Sequence, residues 1–303
     1  MNGTSPNRSR QRDIIDRAKL AEEISALCAD LDGAKLRAEV LSLLQAALRD
    51  GKAEISRRLL DQPSHGRSCA KDQAFLIDQI IRLAYDFVTN SMFSVANRSS
   101  AEKLAIVAVG GYGRGEMAPY SDVDIAFITP YKRTGWTEQV VEAMLYLLWD
   151  LGLKVGQSSR SIDETIRMAL EDLTIRTALL EGRFVWGDRE VYEETSVRFW
   201  SEVAAKTGPD FVAQKMAERD DRHKRMGDSR YVVEPNIKDG KGGLRDLHTL
   251  YWIGKYVHRV RSPAALVDVG LLTQEEYRNF EKAENFLWAV RCHMHDLAGR
   301  AED

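Results

Sequence analysis

Two short apolar runs separated by a glycine-rich loop place the tightest limit on what this chain can fold into. Leu104 to Val109 is rich in β-branched residues and stops at Gly110-Gly111, and a second such run, Val123 to Ile128, follows Pro119 and Asp122. Runs of this kind, bounded by turn residues, predict two strands around a polar loop. Strand side chains alternate between faces, so Asp122 and Asp124 emerge on one face. Two carboxylates that close repel unless a divalent cation neutralises them, and hard Mg²⁺ takes such oxygens, with phosphate oxygens completing its shell. Gly110 and Gly111 have no Cβ, so their backbone can approach a triphosphate and offer N–H donors, and Ser121 adds a hydroxyl. An isolated Asp-x-Asp is more often a solvated turn. The Gly-Gly upstream, between two apolar strands, turns the pattern into a metal and phosphate site.

Other glycine motifs fail on their residues. Gly110 and Gly115 have the spacing of a P-loop, but Glu116-Met117 stands where Lys-Ser/Thr is required, and Gly111-x-Gly113 lacks the third glycine of a dinucleotide fingerprint.

Around this unit the chain reads as helical. Ile14 to Leu60 carries apolar residues at spacings of three and four, with a break near Asp32-Gly33, and Phe75 to Val88 marks a further helix after the turn residues Gln62 to Gly66. Trp136 to Leu151 is predicted as a helix ending at Gly152, Leu153 to Gln157 as a third strand, and Ser161 with Glu164 as a capping box for a helix reaching about Leu180. From Val191 onward helical patterns dominate, interrupted at Lys238 to Gly243 and at Arg261-Ser262-Pro263. The fold class expected is α+β, a small sheet flanked by helices at both ends.

Composition excludes several alternatives. The 303 residues are 44% apolar with a formal net charge of −3, enough for real cores and without an overall drive toward nucleic acid or an anionic membrane. No apolar run approaches the roughly 18 residues that cross a bilayer, and the polar start, Met1 to Arg12, reads as a disordered tip rather than a signal peptide. Cys28, Cys69 and Cys292 form no close pair in sequence, which fits reduced thiols in a cytoplasm.

The motif from Gly110 through Gly113-Arg114-Gly115-Glu116 to Ser121-Asp122-Val123-Asp124 resembles the signature of the bacterial PII uridylyltransferase/uridylyl-removing family, within the DNA polymerase β-like nucleotidyltransferase superfamily. Glu234 to Leu247 resembles that family in particular, and Leu297 to Asp303 is similar to its link into a metal-dependent HD hydrolase domain. The resemblance implies a polymerase β-like nucleotidyltransferase sheet. It also implies three parts: residues 1–97 a helical segment, 98–190 the nucleotidyltransferase core, and 191–303 a helical domain binding substrate or nucleotide. The family's HD and ACT domains would lie downstream. By the same resemblance Asp122 and Asp124 bind Mg²⁺, with Mn²⁺ able to replace it, and Gly110, Gly111 and Ser121 hold the triphosphate. UTP then donates UMP to a tyrosine hydroxyl of the PII signal protein by two-metal phosphoryl transfer, and pyrophosphate leaves.

Three cations are candidate nucleotide contacts: Arg114 between two glycines, and Lys238 and Arg245 in a glycine-rich entry to a helix, where amides and cations together hold phosphate. Leu153 to Gln157 lacks the third carboxylate many superfamily members place there, which leaves the tyrosine's base unassigned; Asp246 and Glu234 are the candidates. The run Glu218 to Arg225 alternates charge and reads as a solvated helix face. His293 and His295, two apart on a helix, point about 200° apart and are expected to pack rather than to share an ion. Other readings of the same residues are a nucleotide-binding regulatory module without transfer, and transfer of a different nucleotide to a different acceptor.

Overall fold

The computed structural model describes residues 11–95, 99–227, 229, 231 and 233–303, so most of the expected disordered tip lies outside the described residues. The chain opens with three helices, α1 (Arg17–Asp30), α2 (Gly33–Asp61) and α3 (Gly66–Phe87). The break between the first two falls at Gly33, whose φ of +52° an L side chain rarely adopts. Strand β1 (Ala105–Ala108) leads into a single helical turn, α4 (Gly110–Gly113), and strand β2 (Val123–Thr129) follows. Helix α5 (Gly135–Asp150), strand β3 (Val155–Ser161), helices α6 (Ile162–Glu171) and α7 (Leu173–Leu180) and strand β4 (Arg183–Gly187) complete the α/β unit. The remainder is helical: α8 (Arg189–Arg198), α9 (Gly208–Arg225), α10 (Leu244–His258), the short α11 (Ala265–Asp268) and α12 (Gln274–Ala298).

The four strands stand in the order β3-β2-β1-β4. β1 pairs antiparallel with both β2 and β4, whereas β2 and β3 run parallel, joined by the α5 crossover. The third strand begins two residues later than the sequence suggests and continues to Ser161, because its parallel partner β2 offers backbone groups as far as Thr129. The capping box at Ser161 is present, but its helix stops at Glu171. There Asp172 turns its side chain onto the N–H groups of Thr174 and Ile175 and starts α7 as a separate helix. β4, the short run Phe184-Val185-Trp186 between Arg183 and Gly187, is a strand beyond the three expected.

Period-two alternation divides the apolar side chains of the sheet between two cores. Ile106, Val123, Ile125 and Phe127 join α1 to α3 and α5 in the larger core, to which Leu244, Trp288 and Cys292 also belong. Val107, Ala126 and Ile128 face the second core, with Ile162 and Ile166 of α6, Phe211 of α9, and Trp252 and Tyr256 of α10. Each core therefore joins the sheet to helices far away in sequence, which fixes the C-terminal helices over the end of β2 that carries the aspartates.

Candidate active site

β1 and β2 deliver the two halves of the site. Val109 N–H donates to Asp124 O at 3.0 Å, tying the exit of β1 to the residue that carries the carboxylate. The chain then turns at Gly110, with φ +59°, where a Cβ would stand 3.1 Å from Asp124 Oδ2. Glycine is needed here both for conformation and for space. On the other flank the parallel register sets Asp124 opposite Gly156, where a Cβ would run into Asp124 Oδ1. The carboxylate is thus held between two glycines from neighbouring strands, on the same face of β2 as Ala126 and Ile128.

Asp122 is exposed immediately ahead of β2. Burial above all, and then the charge of Asp122, push the Asp124 carboxyl above its usual range, while Lys238 acts in the opposite sense. A half-buried carboxylate, disfavoured as an anion and flanked by glycines that leave its oxygens clear, is a fitting donor for a hard divalent cation.

A cavity of about 600 Å³ opens beside Asp124, lined by Gly110, Gly156 and Ser158 on the sheet side and by α7, α9 and α10 opposite. That volume falls within the roughly 300–1,000 Å³ of small-molecule sites. Four cations line it: Lys215, Arg222 and Arg225 from α9, and Arg245 from α10. Lys215 Nζ lies 4.6 Å from the centre of the Trp252 ring and 2.8 Å from Glu218, and burial lowers its pKa. Arg222 is buried, with one guanidinium nitrogen on Asp246 at 2.5 Å and the other, NH1, without a hydrogen-bond partner. The solvated-face reading of Glu218 to Arg225 holds for exposed Glu218, Asp220, Asp221, Lys224 and Arg225 and fails at Arg222, which is buried. Lys215, Glu218, Arg222 and Arg225 recur at helical spacing and line the cavity, Lys215 and Arg222 buried and the other two exposed at its rim.

The remaining expected site residues divide. Gly110 and Asp124 line the cavity, as does Arg245, which is paired to Asp239 at 3.1 Å. Lys238 is bound to Asp303 at 2.9 Å while its charge still reaches Asp124. Gly111 sits in the turn, where a Cβ would meet Glu116 O at 3.3 Å. Ser121 is placed elsewhere: its hydroxyl accepts from Ala118 N–H at 3.2 Å, and it lines a separate cavity of about 170 Å³. Arg114 also departs from expectation. It turns inward to Glu181 at 2.5 Å and Glu116 at 3.7 Å, with its guanidinium 5.9 Å from the Trp252 ring, so its charge is spent on buried carboxylates.

Neither candidate base is presented to the site. Asp246 already accepts from Arg222, His223 and the Gly242 N–H, and Glu234 is exposed. The β3 position facing Asp124 is Gly156, so no carboxylate stands there. His295 is fully buried and accepts from Tyr120 N–H, and His293 contacts Pro63 O, both packing roles. Sequence reasoning missed Gly156, Lys215 and Arg222. For Gly156 a signal existed, because glycine inside a strand marks close approach of another group.

Comparison with known proteins bears on this geometry. Residues 92–185, which contain β1, the glycine turn, both aspartates and β3, match the nucleotidyltransferase domain, and the sheet fits the polymerase β-like fold. Residues 210–303, from α9 onward, match the GlnD PII-uridylyltransferase family. The chain is 62% identical over 298 residues to the bifunctional uridylyltransferase/uridylyl-removing enzyme of Novosphingobium aromaticivorans, covering 98% of the chain and 33% of that protein. Identity to the enzyme of the same name from Erythrobacter litoralis is 63% over 300 residues, covering 99% of the chain and 32% of the relative. For Rhodospirillum rubrum it is 53% over 301 residues, with 99% and 32% covered. The chain thus spans about a third of the length of the curated relatives it matches.

Proposed function

We propose that this chain, which belongs to the bifunctional uridylyltransferase/uridylyl-removing enzyme family, is a nucleotidyltransferase that moves UMP from UTP to a tyrosine hydroxyl of the PII signal protein and releases pyrophosphate. The observation that carries this reading is the Asp124 carboxylate, set between Gly110 and Gly156 at the mouth of a cavity lined by Lys215, Arg222, Arg225 and Arg245. Carboxylates on one side and cations on the other match a metal-bound triphosphate, whose reacting phosphorus must lie between them.

Residues 98–190 form the transferase core in this scheme, and 191–303 supply the cations that hold the nucleotide. Asp122 and Asp124 would hold Mg²⁺, or Mn²⁺ in its place, and a cation bound there would supply charge stabilisation for the attacking and leaving oxygens. The chain's own residues position the reactants. The backbone at Gly110 and Gly111 admits the phosphates, and Arg245, Arg222 and Lys215 bind their oxygens, with Lys238 favouring ionised Asp124. The tyrosine oxygen forms its bond to the α-phosphorus as the bond to pyrophosphate breaks, and the phenolic proton passes to solvent. Among the described residues no helix is long and apolar enough to cross a membrane, and a cytoplasmic site of action fits the three free cysteines.

The test is direct. The chain incubated with UTP, Mg²⁺ and PII should add the mass of one UMP to the acceptor tyrosine, and Asp122→Asn or Asp124→Asn should abolish the gain. A folded chain that binds UTP yet releases no pyrophosphate with any acceptor would refute the proposal in favour of a regulatory module. Competition by ATP, CTP and GTP reads out the base preference.

A further inference from the structure

Behind the glycine turn, outside the cavity, three buried side chains from three distant parts of the chain converge. They are Glu116 from the loop after α4, His248 from α10 and Glu284 from α12, each 5% exposed or less. One ligand atom from each lies within 4.8 Å of the other two. His248 Nε2 and Glu284 Oε2 are both buried without a hydrogen-bond partner, each other included. An unsatisfied buried polar atom costs about 1–3 kcal/mol, so two aimed at one point call for something between them.

We infer that Glu116, His248 and Glu284 form a second, structural cation site, separate from the aspartate pair, that takes a divalent transition metal of the Zn²⁺ type. One imidazole and two carboxylates make the mixed donor set such ions accept, whereas Mg²⁺ prefers oxygen alone and retains water. Burial first, and then the charges of Arg114, Arg245, Arg291 and Arg67, push the His248 imidazole well below its usual range and so favour its neutral form. Burial and then Glu116 push the Glu284 carboxyl up to about 7, against the opposing charges of Arg67 and Arg114.

The surroundings support this donor set. Arg67 donates from Nε to Glu116 Oε1 at 2.9 Å and stands 3.2 Å from Glu284 Oε2 without hydrogen-bond geometry, orienting both carboxylates as outer partners of metal ligands do. Arg114 is the other nearby cation, and its closest partner is Glu181 rather than Glu116. Arg67 is thus shared between Glu116 and Glu284 while Arg114 pairs chiefly with Glu181, so two guanidinium groups serve three buried carboxylates. The site also has a structural consequence. Glu116 N–H donates to Gly111 O at 3.1 Å, so a cation here braces the glycine turn against α10 and α12.

The experiment strips the chain with chelator, adds Zn²⁺, Mn²⁺ or Mg²⁺, and follows bound metal by elemental analysis and stability by Tm. It is run on the natural sequence, on the Asp122→Asn/Asp124→Asn double variant, on Glu284→Gln and on His248→Gln. Expected is one equivalent of Zn²⁺ with a rise in Tm, both retained in the double variant and lost in Glu284→Gln and His248→Gln. If His248→Gln does not fold, the near-isosteric Glu284→Gln carries the comparison. Failure of the folded natural chain to bind Zn²⁺ stoichiometrically overturns the inference, as does binding lost in the double variant but kept in Glu284→Gln. Neither result touches the transfer reading, which is scored on PII.

Discussion

Replacing Gly156 with alanine tests the geometry of the site more severely than removing a carboxylate, because it leaves every functional group in place. The parallel register sets Gly156 beside Asp124, and an added Cβ would overlap Asp124 Oδ1. A carbon and a non-bonded neighbour rest about 3.5 Å apart, so relief requires the carboxylate to move by about 1 Å. On its far side lies the Gly110 backbone, which is fixed by the Val109 bond to Asp124 O. A misplacement of about 1 Å costs on the order of 100-fold in rate, which is the loss expected in UMP transfer. Overpacking costs about 1–3 kcal/mol, offset by about 0.4–1 kcal/mol from the stiffer unfolded chain, so the fold should survive with a modestly lower Tm. Gly135→Ala is the control, since a Cβ there meets nothing within 4 Å. Transfer by Gly156→Ala within about threefold of the natural chain, set against the roughly 100-fold expected, would refute the idea that the two glycines position Asp124.

Three further outcomes follow from the charges. Burial and Asp122 raise the Asp124 pKa, so stability is lost as pH rises through that value, and Asp124→Asn should be no less stable than the natural chain at pH 7 while losing transfer, read by denaturant unfolding. Glu284 is raised from 4.5 to about 7; in chelator its contribution is fully present below 4.5, falls between those values by about 3 kcal/mol at about 1.4 kcal/mol per unit, and should vanish from the pH–stability curve of Glu284→Gln. Arg114→Ala removes the guanidinium paired with buried Glu181, while Glu116 keeps Arg67, and should destabilise by about 3–5 kcal/mol, an effect that a solvated nucleotide-reaching arginine would not show.

Where the chain declares itself locally, the sequence is readable. Gly33 and Gly152 end helical patterns because the positive φ there favours glycine, Ser161 and Glu164 satisfy each other's amides, and the alternation through Val123-Asp124-Ile125 fixes which face carries the carboxylate. What stayed hidden depends on partners remote in sequence. β4 is held through Arg183 on Asp78 and Trp186 on Asp86, about a hundred positions earlier, and its local signal, Phe184-Val185-Trp186 ahead of Gly187, is too short to fix a strand by itself. Arg114 between two glycines reads as mobile until Glu181 arrives at the end of α7 to pair with it. Lys215 and Arg222 of α9 look solvated until α10 packs beside them, since helical spacing of charged residues carries no record of what faces them.

Each of the paired cations at the cavity already has an acidic partner: Lys215 with Glu218, Arg222 with Asp246, Arg245 with Asp239. A triphosphate must therefore compete with carboxylates, and the cheapest exchange is at the most exposed partner. Glu218 has a side chain 48% exposed, against 22% for Asp246 and 29% for Asp239. A pair with one half-exposed partner is worth about 0–1 kcal/mol, so Glu218→Gln should release Lys215 and tighten UTP binding by up to about fivefold, since 1.4 kcal/mol is tenfold. Asp246→Asn should not act alike, because Asp246 also accepts from His223 and from Gly242 N–H and holds the glycine-rich entry to α10 in place. Titration calorimetry at fixed ionic strength distinguishes the two. Weaker UTP binding by Glu218→Gln would mean that Glu218 orients Lys215 toward the phosphates instead of competing with them.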